Sequence, residues 1–103
     1  MSVAREFRGQ GIVRGRRLLL APAEAIAMIS RAQELGVQIL GVESLRVTES
    51  TTQPDMSHIL DLGAGGPTSW SEATEFIRER AQMGLLFDVV ADEDTADLLE
   101  RLG

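Results

Sequence analysis

The chain has 103 residues, 44% hydrophobic and 25% charged, with a net charge of −6. That length suits one domain, and the composition excludes wholesale disorder. Cysteine is absent and His58 is the single histidine, which excludes disulfides, thiolate catalysis and multi-histidine metal cages.

The charge is unevenly distributed. Residues 1–20 carry five arginines against Glu6, while the remainder carries five arginines against fifteen acids. A basic arm on an acidic body is the expected organisation, with an Arg/Gly-rich arm at 1–15 and one α+β domain at 16–103. Such a body repels phosphates and favours basic partners. Arm removal is then expected to alter association more than folding. No lysine is present, which we read as coding bias. Arg16-Arg17 before three leucines resembles the start of a twin-arginine signal, but Pro22 and Glu24 break the apolar run. No stretch approaches the roughly 18 apolar residues of a membrane span, and the cytoplasm is the default compartment.

In chain order, Gly9, Gly11 and Gly15 among arginines suggest a mobile or loosely paired arm, with room for a short strand at Phe7–Val13. Arg16–Leu20 reads as a strand. Pro22 suits a first helical turn, and Ala25, Met28, Ile29 and Ala32 recur at helical spacing, widened by Ile26 and Leu35. Gly36 is a natural stop. Val37–Val47 reads as a long strand with Val37, Ile39, Leu45 and Val47 on one face and a bulge at Gly41. A polar loop over Glu49–Asp55 leads to a strand at Ser57–Leu62. Pairing the two sets Leu45 opposite Leu60, Val47 opposite His58, and Arg46 with Asp61 on the other face. A glycine loop, Gly63–Pro67, precedes a helix capped by Thr68 or Ser69, with Glu72 completing a capping box. Its apolar stripe is Trp70, Ala73, Phe76, Ile77 and Ala81, and Gly84 ends it. A buried strand at Leu85–Ala91 and a last helix capped by Asp92 or Asp94 complete the chain.

The order β-α-β-β-α-β predicts a ferredoxin-like split βαβ antiparallel sheet with both helices on one face, plus a short C-terminal helix.

Three constellations are candidates for function. The run Ile59-Leu60-Asp61-Leu62-Gly63-Ala64-Gly65-Gly66 resembles the nucleotide loop of S-adenosylmethionine-dependent methyltransferases. The resemblance implies a ligand loop at Gly63, Gly65 and Gly66, where glycines admit a cofactor to a helix N-terminus. Pro67 replaces that family's third glycine, and no cofactor is expected. His58 and Glu43 form a candidate polar pair for acid–base work. The acids Asp88, Asp92, Glu93, Asp94 and Asp97 lack the glycine and bidentate glutamate of a calcium loop, so no metal is expected, and they read as a face for a basic partner.

The expected function is therefore a small acidic protein-interaction module, an inhibitor, immunity-type or accessory protein without catalysis. The alternative is a small-molecule-binding or regulatory domain using the Gly63–Pro67 loop or a dimer groove. A protein partner or a second copy is expected, and nucleic acid and membrane are not.

Overall fold

A computed structural model describes residues 3–14, 17–47 and 52–92. In chain order these form α1 (Val3–Phe7), a 3₁₀ turn (Arg8–Gln10), β1 (Ile12–Arg14), β2 (Arg17–Leu19), α2 (Pro22–Leu35), β3 (Ile39–Val47), β4 (Thr52–Asp61), α3 (Ser69–Glu79) and β5 (Leu86–Ala91). The fold is α+β. One antiparallel sheet runs β4-β3-β5, and β1-β2 form an antiparallel hairpin. Just past β2, Leu20 exchanges two backbone hydrogen bonds with Phe87 of β5, at 2.9 and 2.8 Å. The first strand thus meets the free edge of β5.

The β-α-β-β-α-β order is present from β2 to β5, and each βαβ unit is split by one strand of the other. The interleaving differs from the ferredoxin-like expectation. In a ferredoxin-like sheet the first strand is internal, between the third and fourth. Here the second strand, β3, is internal, between β4 and β5, and the first lies outermost. The physical reason lies in strand length. Nine-residue β3 offers two full hydrogen-bonding edges, whereas β2 has three residues and already pairs with β1. The expected C-terminal helix falls outside the described residues.

Helix α2 begins with Pro22 at its first position and ends at Gly36, whose φ of 72° is left-handed. The N–H of Gly36 donates to Gln33 C=O and that of Val37 to Ala32 C=O, so the helix closes with both hydrogen bonds of a Schellman motif. Ala25, Met28, Ile29 and Ala32 face inward as the spacing predicts, while Leu35 is exposed. Helix α3 starts at Ser69, one residue earlier than a Ser69 cap requires, so Thr68 takes the N-cap position. The Thr68 hydroxyl donates to the Glu72 carboxylate and does not accept a backbone N–H of the first turn. The helix stops at Glu79, so Ala81 lies exposed in the following turn.

Both helices cover one sheet face. Their apolar residues join Ile39, Val42, Phe87, Val89 and Ala91 in a single core cluster. Val3 is fully buried in that cluster and Phe7 packs against it. Of the strand expected over Phe7–Val13, only Ile12 and Val13 are extended, in β1; Phe7 ends a helix and Arg8–Gln10 form the 3₁₀ turn. The start of the arm is part of the core.

Two irregularities set the faces of β3. Against β5, Ile39 pairs with Ala91 and Gly41 with Val90, leaving Leu40 as an extra residue. A one-residue bulge exchanges the faces of everything beyond it. Ile39, Val42 and Ser44 point to the helices, and Gly41, Glu43 and Leu45 point away. Leu45 is buried, but outside the helix-side cluster. Against β4, Glu43 pairs with Ile59 and Leu45 with Pro54, so two steps along β3 match five along β4. The hairpin is antiparallel as expected, but β4 starts at Thr52, and Val42 rather than Leu45 opposes Leu60. Arg46 accordingly opposes Gln53, and Asp61 opposes Gly41.

The bulge leaves the Ser44 hydroxyl fully buried and without a hydrogen-bond partner among the described residues. Burying an unpaired hydroxyl costs about 1–3 kcal/mol. Ser44→Ala is therefore expected to raise unfolding stability by about 1 kcal/mol in urea titration. Val3→Ala removes two buried methyl groups and is expected to lower stability by about 2 kcal/mol, read by the same titration. An unchanged Val3→Ala midpoint would show that the arm does not support the core.

Candidate functional site

The sheet face opposite the helices collects the polar groups. Glu43 and Asp88 are directly opposed on β3 and β5, a placement that sets two carboxylates side by side on one face. Arg17, at the start of β2, relieves the repulsion. Its Nη1 lies 2.7 Å from Glu43 Oε2 and 3.9 Å from Asp88 Oδ2. That nitrogen is enclosed yet lacks a well-aligned hydrogen bond, so the contact is an ionic pairing. Burial pushes the Asp88 carboxyl up to about 6. The Arg17 charge pulls it back and the Glu43 charge adds to the rise. One of the five arginines in residues 1–20 thus meets acids of the rest of the chain.

Beside this cluster, the absent side chain of Gly41 leaves a shallow, solvent-open depression of about 230 Å³. Leu40, Gly41, Glu43, Ile59, Asp61 and Val90 line it. Gly41 is required here, since a Cβ would approach the Leu60 carbonyl oxygen to 2.8 Å. Ile59 stands 41% exposed. Asp61 Oδ1 accepts the Gly63 N–H at 2.9 Å, an Asx turn that fixes its orientation.

The expected Glu43–His58 pair is not brought together. Glu43 turns to the Arg17 side, as the bulge dictates. The extra residues in β4 carry His58 toward α3, where Arg80 Nε donates to His58 Nδ1 at 3.0 Å. Arg80 also donates to the Phe76 carbonyl at 3.0 Å and stacks over the Phe76 ring at 3.9 Å. This arrangement anchors the C-terminal end of α3 to the sheet. An imidazole accepting at Nδ1 from a guanidinium has that nitrogen occupied, which leaves it unable to take a substrate's proton there.

The glycine loop is filled by the protein itself. Gly63, Gly65 and Gly66 have positive φ values of 60°, 89° and 132°, which explains their identity. The Gly66 N–H donates to Gln38 Oε1 at 2.8 Å, and the Ser69 hydroxyl donates to the same oxygen at 3.1 Å. A Cβ on Gly65 would come within 2.7 Å of that oxygen. The donors that could cradle a phosphate or carboxylate at the start of α3 thus face an internal acceptor. Trp70 Nε1 donates to the Val37 carbonyl at 2.8 Å, a second tie between the same segments.

Of the expected acidic face, Asp88 belongs to the Arg17 cluster. Asp92 is exposed, and its backbone N–H donates to the Gln38 carbonyl at 3.0 Å. Glu93, Asp94 and Asp97 lie outside the described residues. No group of three potential metal-ligating side chains occurs among the described residues, and none of their helices is long and apolar enough to cross a membrane. Sequence reasoning missed Arg17 as the partner of two carboxylates, Gln38 as the plug of the glycine loop, and the Ile59–Asp61–Val90 surface. Gly41 in a strand, together with Ile59 between His58 and Leu60, was the available signal for the last.

A carboxyl held above its unfolded value of 3.8 favours the folded state when protonated. Its stabilising contribution is complete below that value and is lost as pH rises through about 6. Asp88→Asn is therefore expected to gain up to about 3 kcal/mol over the parent at neutral pH. The gain should shrink toward zero below about pH 4. Urea unfolding at pH 4 and pH 7.5 reads the difference, and a gain independent of pH would refute the assignment to Asp88.

The chain matches no protein-family model and no curated protein.

Proposed function

We propose that this chain is a small acidic interaction module that binds a basic protein partner and carries out no chemistry of its own. Inhibitor, immunity-type and accessory proteins share this mode of action. The observation that carries the reading is the convergence of Glu43, Asp61 and Asp88 on the face opposite the helices, beside exposed Ile59. An apolar patch edged by carboxylates supplies both parts of an interface. The apolar area provides affinity, and the acids steer a cationic partner toward it. The net charge of −6 acts in the same direction over longer range.

The alternative of a small-molecule site in the Gly63–Pro67 loop has less support. Its backbone donor at Gly66 and the hydroxyl of Ser69 are already committed to Gln38. Acid–base catalysis at His58 has less support for a similar reason, since Arg80 occupies Nδ1.

Affinity purification from the native host, followed by mass spectrometry, tests the reading. The wild-type chain is expected to retain one basic protein stoichiometrically, to release it at raised salt, and to lose it on Asp61→Arg. Retention of the same proteins by wild type and Asp61→Arg, without salt dependence, would sink the proposal. So would a measured turnover of any small substrate by the isolated chain.

A further inference from the structure

We infer that the depression at Gly41 receives one basic side chain of the partner, its aliphatic stem on Ile59 and Val90 and its cationic head at Asp61. This inference rests on the interaction-module reading and gives it a specific contact.

Four observations lead to it. First, the depression exists because β3 carries a glycine where its neighbours carry side chains, and the β4 backbone is too close to admit a Cβ. The hollow is thus built into the strand pairing and does not depend on a side-chain rotamer. Second, its walls are aliphatic, from Leu40, Ile59 and Val90, with carboxylates only at Glu43 and Asp61. An apolar floor with anionic ends matches a long aliphatic stem bearing a positive head. It matches a purely apolar side chain less well. Third, the two carboxylates differ in their commitments. Glu43 already holds Arg17 at 2.7 Å. Asp61 is exposed and, among the described residues, carries only the Gly63 N–H on Oδ1, which orients the carboxylate. Fourth, the Arg17–Glu43 contact already places a guanidinium against a carboxylate on this same face. A second cation at Asp61 repeats that chemistry one pairing position along the sheet. Glu43 opposes Ile59, and Asp61 lies two residues beyond it on β4, so the two acids are diagonal neighbours across the strands.

The contact is exposed and its energy is modest. An exposed ion pair contributes about 0.2–1 kcal/mol, so Asp61 supplies direction and salt sensitivity while the apolar wall adds contact area. Asp61→Asn is the informative substitution. It removes the charge but keeps an oxygen to accept the Gly63 N–H, so the turn is preserved. Ile59→Thr removes the wall without introducing charge.

The test uses the full chain with methyl-labelled isoleucine, leucine and valine. It is titrated with the capped tripeptide acetyl-Val-Arg-Val-amide, its lysine analogue, and its norleucine analogue as the uncharged control. Saturable shifts are expected at the methyl groups of Leu40, Ile59 and Val90 with both basic peptides, at dissociation constants on the order of millimolar. The norleucine peptide should bind more weakly. Asp61→Asn should weaken the basic peptides about two- to fivefold and leave the norleucine peptide unchanged, and Ile59→Thr should weaken all three. Thermal unfolding of each variant confirms that the fold is intact. Equal binding of the norleucine peptide, or insensitivity to Asp61→Asn, overturns the inference. Shifts confined to another acidic surface overturn it while leaving a basic partner in place. Absence of binding by either basic peptide at any surface overturns the inference, and the reading beneath it fails only if host purification also yields no basic partner. Concentration-dependent shifts at Ile59 and Val90 without peptide would assign the depression to a second copy of the chain and overturn it.

Discussion

The extra residue at Leu40 is the constraint on which the rest of the sheet depends. Strict alternation along β3 from Ile39 would carry Gly41, Glu43 and Leu45 to the helix side. Glu43 would then enter the core, where an unpaired carboxylate costs far more than the hydroxyl that replaces it. With Leu40 bulged, Val42 fills the core position and Glu43 faces outward. The cost is one buried Ser44 hydroxyl without a hydrogen-bond partner among the described residues. The exchange also puts Gly41 on the outer face, where its missing side chain becomes a depression instead of a void in the core.

The same shift creates the electrostatic problem that the N-terminal hairpin resolves. Moving Glu43 outward sets it opposite Asp88, two carboxylates on adjacent strands. Neither is fully solvated, and burial is the largest contribution to the raised Asp88 carboxyl. Arg17 supplies the counter-charge from β2, whose neighbour Leu20 is hydrogen-bonded to Phe87, next in sequence to Asp88. Backbone pairing and ion pairing therefore fix the same segment at the same place. The N-terminal segment is held at its other end by Val3 in the core and by Glu6, whose carboxylate lies 3.2 Å from Arg31 Nε of α2. The basic first twenty residues and the acidic remainder thus meet by two pairs of opposite sense, with the N-terminal segment supplying the cation, Arg17, in one and the anion, Glu6, in the other.

How much of this was legible in the sequence follows from which signals are local. The helix α2 stripe, its Pro22 start and its Gly36 stop depend on spacing and backbone propensity within a few residues, and they were readable. So were the hairpin of β3 and β4 and the order of elements from β2 to β5. Strand order was not, because it depends on which edges are long enough to pair. Register failed for a different reason. β4 begins at Thr52, inside the segment read as a loop, so Val47 pairs with Thr52 and Arg46 with Gln53; the irregularity between Glu43 and Leu45 recovers only part of that offset, and Leu60 ends opposite Val42. Gly41 did signal irregularity, although the bulged residue is its neighbour Leu40. Helix α1 was missed because its Gly- and Arg-rich continuation masks a single apolar turn anchored by Val3 and Phe7. Among site residues, the tempting ones were those with chemical reputations: a histidine and a glycine-rich turn. Both prove to be tied to neighbours, His58 to Arg80 and Gly66 to Gln38.

That contrast is what the proposed interaction reading rests on. A catalytic or ligand site needs polar groups left uncommitted inside an enclosed space. In the glycine loop, two donors converge on one internal amide oxygen, so a ligand there would have to displace Gln38 and compensate both lost hydrogen bonds. At His58, a guanidinium already takes the lone pair that a general base requires. The outer sheet face has the opposite character. Its hollow is shallow and open, Ile59 is exposed on its rim, and the orientation of exposed Asp61 is fixed by Gly63, its one hydrogen-bond partner among the described residues. Shallow apolar surface edged by oriented charge binds a complementary surface well and encloses a small molecule poorly. The proposed recognition of a protein surface draws on that outer face, while His58 and the glycine loop, which look chemical in the sequence, are tied into the fold.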